Sequence, residues 1–265
     1  MNLQTIKNLR ISLRNPATRV VVVALAANGA SSYRDASAIS RKLDGAQVTV
    51  LTDSAEKVRD TNPRTTTVTQ VRRKADLTQA LRQATQGVPA HGTLLFVLSA
   101  HGYSRPAAPA RRDREMNRRT EYVRVGPDIL CDYELRAALL GHLPATARAV
   151  CLVDTCHSGT MLDMEYVFRG NGTELARSLV PLETTPAECV SISACADNEL
   201  AGEDISTFGG WGGKLVCQFL DYLGDDGSFG VYGFFQHAHA AFTGQSCQRS
   251  HPVLGYSPLY RDTHD

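Results

Sequence analysis

The sequence predicts an α/β fold of three layers, with a mainly parallel central sheet and helices on both faces. Short apolar runs rich in β-branched residues predict the strands, and apolar positions at helical spacing predict the helices between them. Almost wholly apolar strands are typical of parallel sheets that are buried on both faces. A chain of 265 residues can bury a sizeable core as one domain.

The predicted elements alternate along the chain, as strands and helices do in parallel sheets. The predicted strands cover residues 20–27, 47–51, 93–99, 149–153 and 189–193. The predicted helices cover residues 32–43, 76–84, 133–140 and 214–223. We expect one domain over residues 1–265, with an N-terminal extension at residues 1–18.

The apolar run at residues 20–27 could be part of a signal peptide or a buried strand. Its density of valines favours the strand. No run approaches the roughly 20 apolar residues of a membrane helix. The formal net charge of +1 gives no general electrostatic reason to bind nucleic acid or a membrane, so we expect neither as a partner.

The seven cysteines are odd in number, and no two of them form a C-x-x-C pair. They therefore indicate neither a disulfide framework nor a zinc site. A reducing compartment fits this cysteine usage, and we expect a cytoplasmic protein.

Two stretches, residues 103–127 and 157–188, lack a clear period and are longer than ordinary connections. The first contains seven arginines against three acidic residues, and we interpret it as a basic loop insertion on the surface. Both stretches directly follow predicted strands, at the sheet edge where open α/β folds place their sites.

The ends of two predicted strands carry residues suited to acyl transfer by a thiol. Ser99, His101 and Gly102 follow one strand, and Asp154 and Cys156 follow another. A thiol nucleophile needs a base within hydrogen-bonding reach, and its oxyanion needs amide donors. We predict Cys156 as nucleophile, His101 as base, and the amides of Gly102 and Cys156 as oxyanion donors.

Each of these residues also has an ordinary structural interpretation. Cys156 could be a buried thiol, and Asp154 could be a polar strand end. His157 is next to the cysteine, but adjacent residues of a strand face opposite ways, so we expect a structural role for it.

The segment S-x-H-G and the segment D-x-C-H-S-G, with Cys156 lying 55 residues after His101, resemble the metacaspases of the caspase-like clan. Further similar segments are SYRDASA at 32–38, CDYEL at 131–135, MLD at 161–163, SACADNELAGED at 193–204, GGKLVCQFL at 212–220 and HPVLGYS at 251–257. The resemblance implies a caspase-like fold and a Cys/His cysteine endopeptidase that cuts after Arg or Lys.

In the same resemblance Asp154, Asp35 and Ser99 match positions that line the pocket for the basic substrate residue, and Asp53 matches more weakly. Two carboxylates can hold a guanidinium group bidentately. The resemblance therefore implies protein or peptide substrates with Arg or Lys before the cut.

Metacaspases of this type commonly need calcium, and Asp132 and Asp163 match two of the family's aspartate ligands. Cys131 and Val123 stand where further aspartates are expected, and neither offers a side-chain oxygen. Glu121 and Asp128 are the candidates to compensate. We expect no required cofactor, with Ca²⁺ at most a weak activator.

Two further functions stay open at this point: a catalytically silent binding or regulatory module of the same fold, and a transpeptidase in which an amine captures the acyl-enzyme. The resemblance implies a monomer. Because the basic loop adjoins His101, we also expect the active enzyme to cut itself between Arg105 and Arg119.

Overall fold

A computed structural model of the chain describes residues 3–26, 31–112, 115, 117–169, 174–177, 187–206, 210–243 and 251–257. The helices of this part are α1 (Leu3–Lys7), α2 (Ser31–Lys42), α3 (Lys74–Gln86), α4 (Asp132–Leu140), α5 (Lys214–Tyr222) and α6 (Val231–Thr243). Its strands are β1 (Arg10–Ser12), β2 (Thr18–Leu25), β3 (Val48–Thr52), β4 (Thr66–Gln70), β5 (Thr93–Ala100), β6 (Gly102–Pro106), β7 (Arg119–Val125), β8 (Asp128–Cys131), β9 (Arg148–Asp154), β10 (Tyr166–Arg169), β11 (Glu174–Arg177), β12 (Glu188–Ser193), β13 (Glu203–Ser206), β14 (Gly210–Gly213), β15 (Ser228–Gly230) and β16 (Val253–Ser257).

Nine of the described strands form one sheet in the order β11-β10-β16-β12-β9-β5-β2-β3-β4. The strands from β12 to β4 run parallel, whereas β16, β10 and β11 are antiparallel at one end. This confirms the predicted α/β fold with a mainly parallel sheet. The five predicted strands are β2, β3, β5, β9 and β12, and the four predicted helices are α2 to α5.

Helices cover both faces of the sheet, because successive side chains of a strand point to opposite sides. Val22 belongs to a core shared with α2, α5 and α6, while the next residue, Val23, belongs to a core shared with α3 and α4. The valine run of β2 is therefore buried on both sides. For this reason polar and apolar residues do not alternate along it.

The expectation that residues 103–127 form an irregular loop is wrong for much of the stretch. Strands β6 and β7 lie within it and pair with each other, and β7 also pairs with β8. In β7 the exposed Arg124 alternates with the buried Val123 and Val125. The high arginine count masked this two-residue period. Residues 107–118, so far as they are described, connect the two strands.

The second stretch, residues 157–188, also contains strands, since β10 pairs with both β11 and β16. The N-terminal segment at residues 3–17 packs onto the domain. Its Ile6 and Leu9 join the core that α6 lines, and β1 pairs with β15.

The six cysteines among the described residues are all free, and Cys247 lies outside those residues. No helix in the described part of the chain has the length and apolar character needed to cross a membrane. The cytoplasmic location stays a prediction.

Candidate active site

The parallel register of β5 and β9 brings the two predicted strand ends together. Ser99 pairs with Asp154 at the end of this ladder. His101 and Cys156 each lie two residues beyond this pair, just after the ends of β5 and β9. Neighbouring strands lie about 5 Å apart in a sheet. The structure therefore places the predicted base and nucleophile at the same edge.

Gly102 packs directly against the backbone of Cys156. A Cβ atom built on Gly102 would collide with the Cys156 carbonyl oxygen and would crowd the Thr155 hydroxyl. Any side chain at position 102 would therefore push the segment after His101 away from the cysteine. This close approach explains why glycine follows the histidine in the sequence.

Burial governs the ionisation of Cys156. It raises the pKa of the thiol above its usual value, and the charge of Asp154 acts in the same direction. The backbone amide of Ala201 donates a hydrogen bond to the sulfur, which lowers the pKa and offsets part of this shift. A thiol with a raised pKa is protonated at neutral pH, so its attack on a carbonyl needs a base. The exposed side chain of His101 stands at this edge.

His157 is occupied by contacts with the turn that follows β12. Its backbone is left-handed, with φ of 55°. Its Nδ1 lies 2.5 Å from the Asp197 carbonyl oxygen, and its amide donates to the Glu199 carbonyl at 3.2 Å. These contacts support the expected structural role and leave His101 as the candidate base.

The three predicted pocket residues converge on one side of the cysteine. The Ser99 hydroxyl donates to Asp35 at 2.6 Å. The Gly213 amide donates to Asp35 at 3.1 Å, and the Val216 amide donates to Asp154 at 2.9 Å. Asp35 and Asp154 thus share the N-terminal end of α5, where unpaired amides favour negative charge.

Gly212 and Gly213, which sequence reasoning missed as site residues, make this convergence possible. A Cβ atom on Gly212 would collide with Asp35, and one on Gly213 would collide with Asp154. The paired glycines directly before a predicted helix were the available signal. Lys214 follows them, but its ammonium group lies 4.3 Å from the centre of the Phe242 ring and has no hydrogen-bond partner among the described residues.

The acid pair is buried, with 2% of Asp35 and 5% of Asp154 exposed. Burial raises the pKa of Asp154 to about 7. Burial and then the charge of Asp154 raise the pKa of Asp35 well above its usual value. No ion pair of the described residues includes either carboxyl group. A cationic ligand would therefore find two carboxyl groups without a counter-ion.

Asp53, the weaker pocket candidate, lies apart from the acid pair. Its carboxylate accepts hydrogen bonds from the Tyr33 hydroxyl at 2.9 Å and the Ala26 amide at 3.4 Å. Its contacts tie the end of β3 to α2.

The predicted metal ligands Asp132 and Asp163 lie together with a third buried carboxylate, Glu115. One oxygen of each lies within 4.8 Å of the other two. Burial, followed by the neighbouring carboxylates, raises the pKa of Asp132 to about 9, and burial raises that of Asp163 to about 7. Arg111 pairs with Glu115 at 3.3 Å. A hard divalent cation such as Ca²⁺ prefers carboxylate oxygens, so these three residues fit such an ion.

Glu115 was missed because an acid in an arginine-rich stretch suggests a solvated surface. Of the two candidates to compensate, Glu121 lies beside this cluster, since its amide donates to Asp132 at 2.8 Å. The Glu121 carboxylate accepts hydrogen bonds from Ser104 and Thr160, and Asp128 accepts one from the Lys74 amide. That Glu121 or Asp128 completes the set stays a prediction.

The positions occupied by Cys131 and Val123 have structural roles. Cys131 is the N-cap residue of α4, and Val123 packs in the core beneath α3 and α4.

Comparison with known proteins identifies the family. The family model "Metacaspase, peptidase C14 domain" matches residues 28–165, a range that includes every predicted catalytic, pocket and metal residue. The chain is 27% identical to Metacaspase-1 of Arabidopsis thaliana over 148 residues, covering 49% of this chain and 38% of that protein. It is 30% identical to "Inactive metacaspase-4" of Trypanosoma brucei brucei over 139 residues, covering 48% and 38% of the two chains.

A solved crystal structure, that of a Geobacter sulfurreducens protein, superimposes with a TM-score of 0.56 at 17% identity, covering 92% of this chain and 95% of the other. This likeness concerns the fold alone. The present chain spans 38% of the length of both the Arabidopsis and the Trypanosoma relative.

The fold and the family match define a protein of the caspase-like cysteine peptidase class. Within that class, the chain belongs to the metacaspase family.

Proposed function

We propose that this chain is a cysteine endopeptidase that cleaves peptide bonds after arginine or lysine. The observation that carries the proposal is that the candidate catalytic pair and a buried acid pair lie together at the carboxyl ends of β5 and β9. His101 and Cys156 follow these strands, and Ser99 and Asp154 lie two residues before them. Ser99 in turn donates a hydrogen bond to Asp35 of α2, the second member of the buried acid pair.

The acid pair accounts for the substrate class. A guanidinium or ammonium group that enters the pocket would serve as the counter-ion of the Asp35 and Asp154 carboxylates. The amides at the start of α5 and the Ser99 hydroxyl hold the carboxylates in place before the substrate binds. An acidic substrate residue would meet like charge in a desolvated site, which costs several kcal/mol.

The chemistry proceeds in two acyl-transfer steps. His101 removes the thiol proton of Cys156, and the thiolate attacks the scissile carbonyl carbon. The oxyanion is held by the Gly102 and Cys156 amides. As the C–N bond breaks, His101 gives the proton to the departing amine, leaving a thioester. Water, deprotonated by His101, then attacks the thioester and releases the carboxylic acid and the thiol.

Glu115, Asp132 and Asp163 would hold Ca²⁺. When bound, the ion would supply positive charge that offsets the repulsion of three buried carboxylates. Asp163 follows Cys156 along the chain, and Asp132 begins α4. A bound ion would therefore link the segment after the nucleophile to the start of α4.

The test is hydrolysis of fluorogenic peptides ending in Arg, Lys or Asp, by the wild type and by Cys156→Ala. Turnover of the basic peptides alone, lost in Cys156→Ala, supports the proposal. Efficient cleavage after Asp would overturn the specificity.

The second candidate is a silent member of the fold that binds peptides without cutting them, and the name of the Trypanosoma relative favours keeping it. In that case an Arg-containing peptide aldehyde would bind while no peptide is turned over.

A further inference from the structure

A cavity of about 490 Å³ lies between α2 and the segment that follows β3. Neither the acid pair nor Cys156 lines it. Its charged lining residues are Arg34, Arg41, Lys57, Arg59 and Asp60. Four cationic groups and one carboxylate thus face a single concave space.

Both walls of the cavity are fixed by contacts between described residues. Arg34 and Arg41 are seven residues apart and therefore lie on the same face of α2. The Arg59 amide donates to the Ser37 hydroxyl at 3.0 Å, which ties the opposite wall to the helix. The ammonium group of Lys57 lies 5.1 Å from the centre of the Tyr33 ring. The cavity is therefore preformed.

Among the residues that line the cavity, the positive charges outnumber the negative ones. Arg41 pairs with Asp60 at 3.6 Å. Arg34, Lys57 and Arg59 take part in none of the ion pairs found among the described residues. Three like charges around one concavity repel each other and raise the local concentration of anions.

The geometry points to a binding site for a compact polyanion, a small molecule that carries several phosphate or carboxylate groups. Guanidinium groups match both phosphate and carboxylate oxygens bidentately. The volume lies in the range of small-molecule sites. A ligand with one negative charge would leave two of the three cations unpaired, so a multiply charged ligand fits better. This site goes beyond the proposed peptidase activity and does not depend on it.

The experiment is calorimetric titration of the full chain with tripolyphosphate and, separately, with citrate, in calcium-free buffer at physiological ionic strength. Tripolyphosphate is expected to bind one site with a dissociation constant below about 100 µM. The double variant Arg34→Ala/Arg59→Ala should bind at least about tenfold more weakly. The matched control Arg64→Ala/Arg82→Ala removes the same charge from exposed positions outside the cavity and should bind within about twofold of the wild type.

Arg34 and Arg59 are exposed, so their replacement should leave the fold intact, and Lys57→Gln provides an independent variant with the same expected direction. Tighter binding of tripolyphosphate than of citrate identifies a phosphate ligand, and the reverse identifies a carboxylate ligand. Absence of binding by both probes, or an equal loss in the cavity and control variants, would overturn the proposal.

Discussion

The Ser99 hydroxyl donates a 2.6 Å hydrogen bond to Asp35, although the two residues are 64 positions apart in the chain. Ser99 also pairs with Asp154 across the β5–β9 ladder. The same two strands then lead to His101 and Cys156. A shift of β9 would therefore move Asp154 and Cys156 together, and a shift of β5 would move Ser99 and His101 together. Under the proposed function, substrate selectivity and bond cleavage thus depend on one register.

Cys156→Ala should lower peptide hydrolysis at least about a thousandfold, because no other group can replace the nucleophile. His101→Ala should cost nearly as much, since the two residues act as a unit. His157→Ala should retain most of the activity, because the His157 ring is bound to the Asp197 carbonyl. Steady-state rates with an Arg-terminated peptide, with circular dichroism as the control for folding, check this. An active His101→Ala and an inactive His157→Ala would reverse the assignment of the base.

Asp154→Asn should reduce kcat/KM for Arg- and Lys-terminated peptides by about 100-fold or more, the scale of a buried charge pair that loses one partner. Asp53→Asn is the matched control, since Asp53 contacts Tyr33 and lies outside the acid pair. It should change kcat/KM for the same peptides only slightly. Equal effects of the two substitutions would remove Asp154 from the pocket.

Binding of a cationic probe should strengthen as the pH rises. Burial raises the pKa of Asp154 to about 7, so the carboxyl group is largely neutral at pH 6 and largely ionised at pH 8. Because a benzamidine pairs with the ionised form, its affinity should increase about tenfold over this range. Fluorescence titration with p-aminobenzamidine measures it. Asp154→Asn should alter this dependence between pH 6 and pH 8, and a variant with the wild-type profile would place the titrating group elsewhere.

Calcium should bind in the range of about 10⁻⁴ to 10⁻³ M, as extracellular calcium modules do, because three carboxylates form the site without the further aspartates that Cys131 and Val123 replace. Glu115→Gln should weaken binding at least about tenfold, since it removes one of three anionic ligands. Glu56→Gln, on the exposed turn after β3, is the control. Calorimetry without substrate separates binding from activity. Identical titrations for Glu115→Gln and the wild type would exclude Glu115 as a ligand.

Self-cleavage should occur in the connection between β6 and β7, after Arg112 or Arg118. Both are exposed outside the strands, whereas Arg105 and Arg119 lie in paired strands whose backbone cannot readily enter another active site. Prolonged incubation at high concentration, followed by intact-mass analysis, should show these cuts in the wild type and an unbroken Cys156→Ala. An uncut wild type that still turns over peptides would contradict the expectation.

The elements that sequence reasoning predicted are those with a strong local pattern. The valine run of β2 and the apolar runs of β5 and β9 are buried on both faces. Continuous apolar runs of this kind predict buried strands directly. The polar residues at their ends then predict the candidate catalytic pair, because parallel strands deliver their carboxyl ends to one edge.

The site residues that the sequence did not predict owe their role to residues that are distant in the chain. Glu115 lies in an arginine-rich stretch, and only the fold brings it beside Asp132 and Asp163. Gly212 and Gly213 are site residues because α5 approaches Asp35. No local sequence pattern predicts this approach. Strand β4 is short, polar and at the sheet edge, so it lacks the apolar run that identified its neighbours.

The hydrogen bond from the Gly213 amide to Asp35 spans 178 residues. At synthesis rates of about 5 to 20 residues per second, roughly 9 to 36 s pass between the making of these two partners. Until the Gly212–Gly213 segment has left the ribosome and folded, a growing chain already contains Cys156 and His101 but lacks the amide hydrogen bonds that hold Asp35 and Asp154. Under the proposed function, the order of the sequence therefore delays proteolytic competence until after the exposed arginines of the β6–β7 connection have been synthesised.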